Sequence, residues 1–384
     1  MSGFDVAVVG AGVHGASAAF HLASRGVKTV VFERDVPAGG PTGRSSAICR
    51  AYYTNEFLAR VARDSIVMFE RFAEITNGRD AGFRRTGILV LHPPEDEGQV
   101  RVVVPRLNEQ GIPTDLLNRE QLATEFPRFD LEGIGIGAFE RDAGYADPAG
   151  TTVGLLQRAV ELGAETRVGH AVAAIDADHE GWAVVTTDGS CTACGRVLIA
   201  AGPWTRSLAA QVGADIPLHV ERHVVATYAW GGADPVPAHA DLPGGYYFRP
   251  EAVELFLVGP LLPEPEADPD DYPEAIAAEE TRELGEKVVR RIPSLERAES
   301  RGGWASLYDV SPDWQPVIGE IAPGVFIDAG TSGHGFKLAP ALGGDVADLV
   351  MGGEVDPGLA QFHPHRFTEH RELAAGYGAA RILG

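Results

Sequence analysis

Gly10, Gly12, Gly15 and Glu33 have the types and spacing to hold a dinucleotide. The apolar run FDVAVV at 4–9 reads as a buried parallel strand that enters a tight turn at Gly10. Gly12 lets the backbone approach a pyrophosphate, and Gly15 lets the next helix lie close to the sheet. Val13 and His14 open that helix, whose amino terminus faces the phosphates. A second apolar run at 29–32 ends on Glu33, placed to hold a ribose hydroxyl pair. The motif alone does not separate NAD from FAD.

Cations are the second group with chemical meaning. The chain has 384 residues and carries 32 basic against 54 acidic residues, a formal charge of -22. An acidic shell repels nucleic acid and anionic lipid, so neither is an expected partner. It also repels anionic substrates, so a carboxylate site must supply its own local cations. The lysines are Lys28, Lys287 and Lys337, and Lys337 follows the glycine pair Gly333 and Gly335 in GHGFK. The amides of this segment and of the helix after it make a donor-rich terminus suited to negative charge.

Composition limits the remaining classes. With 45% hydrophobic residues the chain can bury a large core, and its length suggests two or three domains. No signal segment precedes the first strand and no apolar run reaches the ~18 residues of a membrane helix, so a cytoplasmic location and no membrane contact are expected. Cys49, Cys191 and Cys194 cannot build a disulfide framework, and the Cys191/Cys194 pair beside an Asp188-Gly189 turn reads as structural.

The elements that must position these residues alternate in kind. A strand, helix, strand unit leads to a Gly- and Ser-rich loop at 37–50, and apolar spacing of three to four residues predicts a helix at 56–74. Short apolar runs at 87–91 and 135–139 mark a different, sheet-like layer. A helix at 150–162, strands at 165–175, 182–187 and 196–202, then strands at 218–228 and 246–258 follow. An acidic segment at 263–280 reads as a solvated loop and helix start, with docking of a redox partner as its alternative. After Pro312 the strand and helix pattern returns, with a helix expected at 339–351.

In order along the chain, the fingerprint at 4–33, GRSSAICR (43–50), GYADP (144–148), AAGPW (200–204), YYFRP (246–250), SPDWQP (311–316) and GHGFK (333–337) resemble the D-amino-acid oxidase superfamily. The similarity is to its sarcosine oxidase, glycine oxidase and dimethylglycine dehydrogenase branch and covers nearly the whole length. It implies α/β plus α+β architecture: a Rossmann-like FAD-binding domain (1–80, 146–215 and 311–384) interleaved with a mostly antiparallel substrate-binding sheet domain (81–145 and 216–310). It implies FAD, with Arg34, Arg44, Ser45, Ser46, Val172, Ala201, Gly202 and Trp204 along it and Gly333, His334, Gly335, Phe336 and Lys337 beside the pyrimidine end of the flavin. Arg50 and Lys337 are implied to hold a substrate carboxylate, and Tyr247 to line the pocket.

The activity so implied is oxidation of an amino acid or N-alkyl or cyclic amino acid at its C–N bond, by hydride transfer to flavin N5, giving an imine. O2 or a redox partner would take the electrons, and the oligomeric state stays open. Departures from the family pattern sharpen this. Ser306 stands where some relatives attach FAD through cysteine, and Arg44 lies where others use histidine, so FAD is expected to be non-covalent, with Cys49 the residue that could overturn this. The strand at 254–260 has Leu257 or Val258 where family oxidases place an oxygen-activating lysine, which leans toward a dehydrogenase or slow oxidase. Rival readings are oxidation of a hydroxy acid with His223 as base, an inert FAD-binding subunit, and an NAD enzyme.

Overall fold

Strand Phe4–Val9, buried from Val6 onward, sits at the centre of a parallel sheet because both its faces are apolar. The computed structural model describes residues 3–179, 181–374 and 376, so 375 and 377–384 of the last expected segment lie outside the described residues. Parallel strands run in the order Glu165–Val168, Thr29–Glu33, Phe4–Val9, Cys191–Ile199 and Val325–Ala329. Val317–Ala322 pairs antiparallel with the last of these. A hairpin of Val172–Asp178 and Gly181–Thr186 pairs antiparallel with the first half of Cys191–Ile199.

Helix Val13–Ser24 packs against helices Pro148–Glu161 and Gly335–Met351. Close approach explains the glycines: a Cβ on Gly343 would come within 2.3 Å of the Ser17 hydroxyl.

The second large sheet has eight strands, from Glu299–Val310 at one edge through His219–Ala229, Leu255–Pro260, Tyr246–Glu251, His239–Asp241, Ile88–His92 and Ile136–Glu140 to Thr114–Asn118. Every neighbouring pair is antiparallel except His239–Asp241 with Ile88–His92. Alternation along Tyr246–Glu251 divides its side chains. Tyr246 and Phe248 join a core with Phe256 and Trp230, under helix Ala278–Arg291, whereas Tyr247 faces the first sheet's core. A small sheet of Ile48–Cys49, Gly144–Tyr145 and Arg84–Arg85 joins the segments that lead into the candidate site.

Several expectations shift, and the strand expected at 165–175 divides into Glu165–Val168, paired with Thr29–Glu33, and Val172–Asp178, paired with Gly181–Thr186. The helix expected at 56–74 breaks at Arg71 into Glu56–Glu70 and Phe72–Ile75. The helix expected at 339–351 begins one turn earlier, at Gly335, where a Cβ would come within 2.7 Å of the Thr331 hydroxyl and 2.8 Å of the His14 ring. Close packing, not flexibility, requires glycine there. The strand expected at 196–202 begins at Cys191, and three-residue spacing puts Cys191 and Cys194 on opposite faces of it, one exposed and one buried. The span 246–258 is a hairpin of two strands.

Among the described residues no helix is long and apolar enough to cross a membrane.

Candidate active site

The turn after the first strand is shaped by what its glycines touch. Gly10 adopts φ +104° and a Cβ there would lie 2.4 Å from the Ala200 carbonyl oxygen, while one on Gly15 would lie 2.0 Å from the Gly10 carbonyl oxygen. No other residue type fits at either position. Gly12 meets only the Thr42 hydroxyl, at 3.2 Å, and that hydroxyl accepts the Val13 amide at 3.2 Å. Thr42 thus sits where an oxygen acceptor is wanted at the helix amino terminus, and sequence reasoning missed it inside the 37–50 loop. The Glu33 carboxylate accepts the Ala11 amide and the Asp35 amide, both at 2.9 Å.

A cleft of about 790 Å³ opens over this turn. Gly10, Gly12, Val13 and His14 line it from the turn, Glu33 and Arg34 from the second strand, and Arg44, Ser45 and Ser46 from the following loop. Val172, Ala201, Gly202 and Trp204 close its far side, and Gly333, Gly335, Phe336 and Tyr247 its other end. Gly15, Arg50, His334 and Lys337 do not line this cleft. Gly15 acts from behind the turn, and the other three form a buried cluster beside the Gly335–Met351 helix start.

His14 is more than a turn residue. Its Nδ1 is 2.8 Å from the Asp328 carboxylate and its Nε2 is 3.1 Å from the Gly335 carbonyl. Both partners are acceptors, so only the imidazolium donates to both. Burial alone would lower its pKa, but the Asp328 carboxylate, with Asp309 and the Gly335 carbonyl, outweighs it and the value is raised. His14 is therefore held between two acceptors beside the glycine turn, in a setting that favours its charged form.

The acidic segment read as a solvated loop reaches across the cleft. Asp270 accepts from Trp204 Nε1 at 2.8 Å and from Arg34 at 3.3 Å, and Arg34 stacks over the Trp204 ring at 3.7 Å. Arg44 donates to the Tyr272 hydroxyl at 2.6 Å and pairs with Glu274 at 2.9 Å. The aromatic Tyr272 amid acidic residues was the sequence signal for this strap.

Behind the cleft, Arg50 and Lys337 are 4% and 7% exposed. The Arg50 guanidinium donates to the Tyr52 carbonyl and lies over the Tyr53 ring at 4.5 Å. Tyr53 stacks on His334 with ring centroids 5.6 Å apart, and Lys337 Nζ is 3.4 Å from the His334 carbonyl. Burial pushes the Lys337 pKa well down, and the Arg50 charge adds to it. Arg50 and Lys337 thus sit close enough in a buried setting for the guanidinium charge to oppose protonation of the lysine.

Two charged residues that sequence reasoning gave no role complete this region. Glu140 is buried, and burial pushes its carboxyl up to about 7 although the Ala51 amide and Arg50 pull it down. Arg249 shares the face of Tyr247, lies over the Tyr145 ring at 4.3 Å and pairs with Glu251 at 2.5 Å. A charge at the end of an otherwise apolar strand, as in IGAFE, was the available signal.

The family model described as FAD dependent oxidoreductase matches residues 5–349. The chain belongs to that family. It is 27% identical over 383 residues to the 4-methylaminobutanoate oxidase (formaldehyde-forming) of Paenarthrobacter nicotinovorans, covering 95% of this chain and 46% of that protein. The chain thus spans about half the length of that relative. It is 25% identical over 394 residues to the monomeric sarcosine oxidase of Streptomyces avermitilis, covering 95% and 98%.

Among solved structures, the L-proline dehydrogenase from P. horikoshii superposes with a TM-score of 0.85 at 26% identity, covering 97% of this chain and all of that one. The glycine oxidase from Geobacillus kaustophilus gives 0.81 at 25%, covering 94% and 98%. The expected mixed α/β fold is therefore the observed one.

FAD is the cofactor of this family, and the residues fit it. The glycine turn leaves room for a pyrophosphate, His14 stands beside it between two acceptors that favour its charged form, and Glu33 retains lone pairs for hydroxyl donors.

Proposed function

We propose that this protein oxidises the carbon–nitrogen bond of an amino acid or an N-alkyl or cyclic amino acid, giving an imine. The observation that carries the reading is the burial of Arg50 and Lys337 together beside the Gly335–Met351 helix start. FAD supplies the two-electron acceptor when bound. Arg50 and Lys337 bind the substrate carboxylate, Arg50 through a planar fork and Lys337 as a point charge. Their charge disfavours an ammonium nearby, so the bound amine reacts in its neutral form. Tyr247, at the meeting of cleft and second sheet, closes the pocket, and His334 holds Tyr53 under Arg50.

In this reading residues 1–80, 146–215 and 311–384 hold the cofactor and residues 81–145 and 216–310 shape the substrate side. FAD is held without a covalent bond. Ser306 lines the cleft but cannot form a thioether, Arg44 is engaged by Tyr272 and Glu274, and Cys49 is fully buried outside the cleft with its thiol pushed up by burial. Acid precipitation should therefore leave the flavin in the supernatant.

The substrate test is anaerobic bleaching of the flavin by a panel of primary, secondary and cyclic amino acids. Reduction by at least one, lost or slowed about a hundredfold in Lys337→Met with FAD still bound, is the expected result. Unchanged single-turnover reduction in that variant removes Lys337 from the reading.

A second reading, oxidation of a hydroxy acid, rests on His223, which lines the cleft. Its Nε2 is 3.0 Å from Glu221, its ring stacks on Tyr308 at 3.8 Å, and burial lowers its pKa although Glu221 opposes this. Bleaching by hydroxy acids and not by amines would select it.

A further inference from the structure

Glu140 ends an inner strand of the second sheet, with Ile88 on one side and Thr114 on the other. It is 1% exposed. A carboxylate in such a place is costly unless its oxygens are satisfied. Both are: one accepts the Ala51 amide at 2.8 Å and the other the Tyr52 amide at 2.9 Å. These are the two peptide amides that immediately follow Arg50, and no helix or long strand fixes the backbone there. The only regular pairing nearby is the two-residue strand Ile48–Cys49.

From these amides the contacts run in one direction. Arg50 donates to the Tyr52 carbonyl and lies over Tyr53, Tyr53 stacks on His334, and the His334 carbonyl receives Lys337. The carboxylate also opposes the Arg50 charge, which lowers the cost of keeping a guanidinium dry.

We propose that Glu140 is a positioning residue: it clamps the Ala51 and Tyr52 amides so that Arg50 is presented, together with Lys337, to the substrate carboxylate. The inference rests on the function proposed above. It makes substrate recognition a joint product of the two sheets, since the second sheet supplies the clamp and the loop after Ser46 supplies the arginine. Glutamine cannot replace it, because an amide has one acceptor oxygen and its NH2 group would face a second N–H. Aspartate keeps the charge but is one methylene short.

The test uses the FAD-loaded protein and benzoate as probe, with binding read from the perturbation of the flavin spectrum. Glu140→Gln should retain FAD and weaken benzoate about tenfold or more, as loss of charge-assisted hydrogen bonds does. Its KM for the best amino acid should rise by a similar factor while kcat changes less than about threefold, and oxidation of the matching amine without a carboxylate should not change. Glu140→Asp should fall between the two, and it serves alone if the glutamine variant does not accumulate. Benzoate binding equal to the parent in either variant, or equal losses with and without the carboxylate, overturns the proposal. If Arg50→Met leaves benzoate binding intact, the proposed function fails; if Arg50→Met abolishes it and Glu140→Gln does not touch it, only the clamp fails.

Discussion

Burial lowers the proton affinity of Lys337, and the neighbouring Arg50 guanidinium makes its charged form costlier still. The two come from opposite ends of the chain, one from the loop before Glu56–Glu70 and the other from the first turn of Gly335–Met351. A carboxylate placed between them reverses the balance, because it stabilises both cations.

Carboxylate binding should therefore draw a proton to Lys337. The sign follows from the shift: the value is lowered without the anion and raised with it, so uptake occurs between the two. Titration calorimetry with benzoate in buffers of different ionisation enthalpy should show uptake of up to about one proton per site. Lys337→Met should abolish it. Equal heats in all buffers would show that carboxylate binding leaves the protonation of Lys337 unchanged.

The strap over the cleft gives a second prediction. Asp270 holds Trp204 and Arg34, and Glu274 and Tyr272 hold Arg44, yet Asp270 and Glu274 are well exposed. Exposed pairs contribute little individually, about 0–1 kcal/mol. Their combined removal in Asp270→Ala/Glu274→Ala should speed FAD release about three- to thirtyfold with little change in melting temperature of the FAD-free protein. Release into an apoflavoprotein trap measures it, and a rate equal to the parent means that the strap does not retain the cofactor.

The glycine turn, Glu33 and the strand, helix, strand unit around them were legible because backbone sterics tie residue type to position there. Gly10 and Gly15 are glycine since a Cβ has nowhere to go. The strap and Glu140 were not legible, since their partners lie far away in sequence and pair through tertiary contacts that have no local period. Asp270 reads as one more solvated acid until Trp204 is seen beside it, and Glu140 as a strand terminus until the Ala51 amide is. His14 could be placed at the turn from sequence, but its charge depends on Asp328, which only the fold brings near.

Acid should destabilise the second sheet through His239. It is 1% exposed, and burial pulls its pKa down to about 4 against the opposing pull of the Pro237 carbonyl. The folded value is below the unfolded one of about 6.5, so the unfolded chain takes up the proton first. The stabilisation is present above that value and is lost as pH falls toward 4. At pH 5 the loss from this residue is about 2 kcal/mol. Urea denaturation at pH 7.5 and 5 should show it, and His239→Gln should shrink the difference by that amount. An equal pH response in the variant would place the titrating group elsewhere.

The sequence puts Leu257 or Val258 where family oxidases carry an oxygen-activating lysine, and the register separates the two. Val258 pairs with Phe248 and joins the core under helix Ala278–Arg291, whereas Leu257 pairs with Arg249 on the face shared with Tyr247. Cross-strand partners share a face, so of the two only Leu257 lies on the face of Tyr247, which lines the cleft. Leu257→Lys should raise the second-order rate of reoxidation by air about tenfold or more, because a preorganised cation stabilises the charge that develops as O2 takes an electron. Substrate reduction under argon should change far less, since that charge is absent from the step. The new ammonium would face Arg249 across the strands, and Glu251, already paired with that arginine, limits the repulsion. Stopped-flow mixing of the reduced protein with oxygenated buffer measures the rate, and an unchanged value in a variant that keeps its FAD would show that Leu257 does not limit the reaction with oxygen.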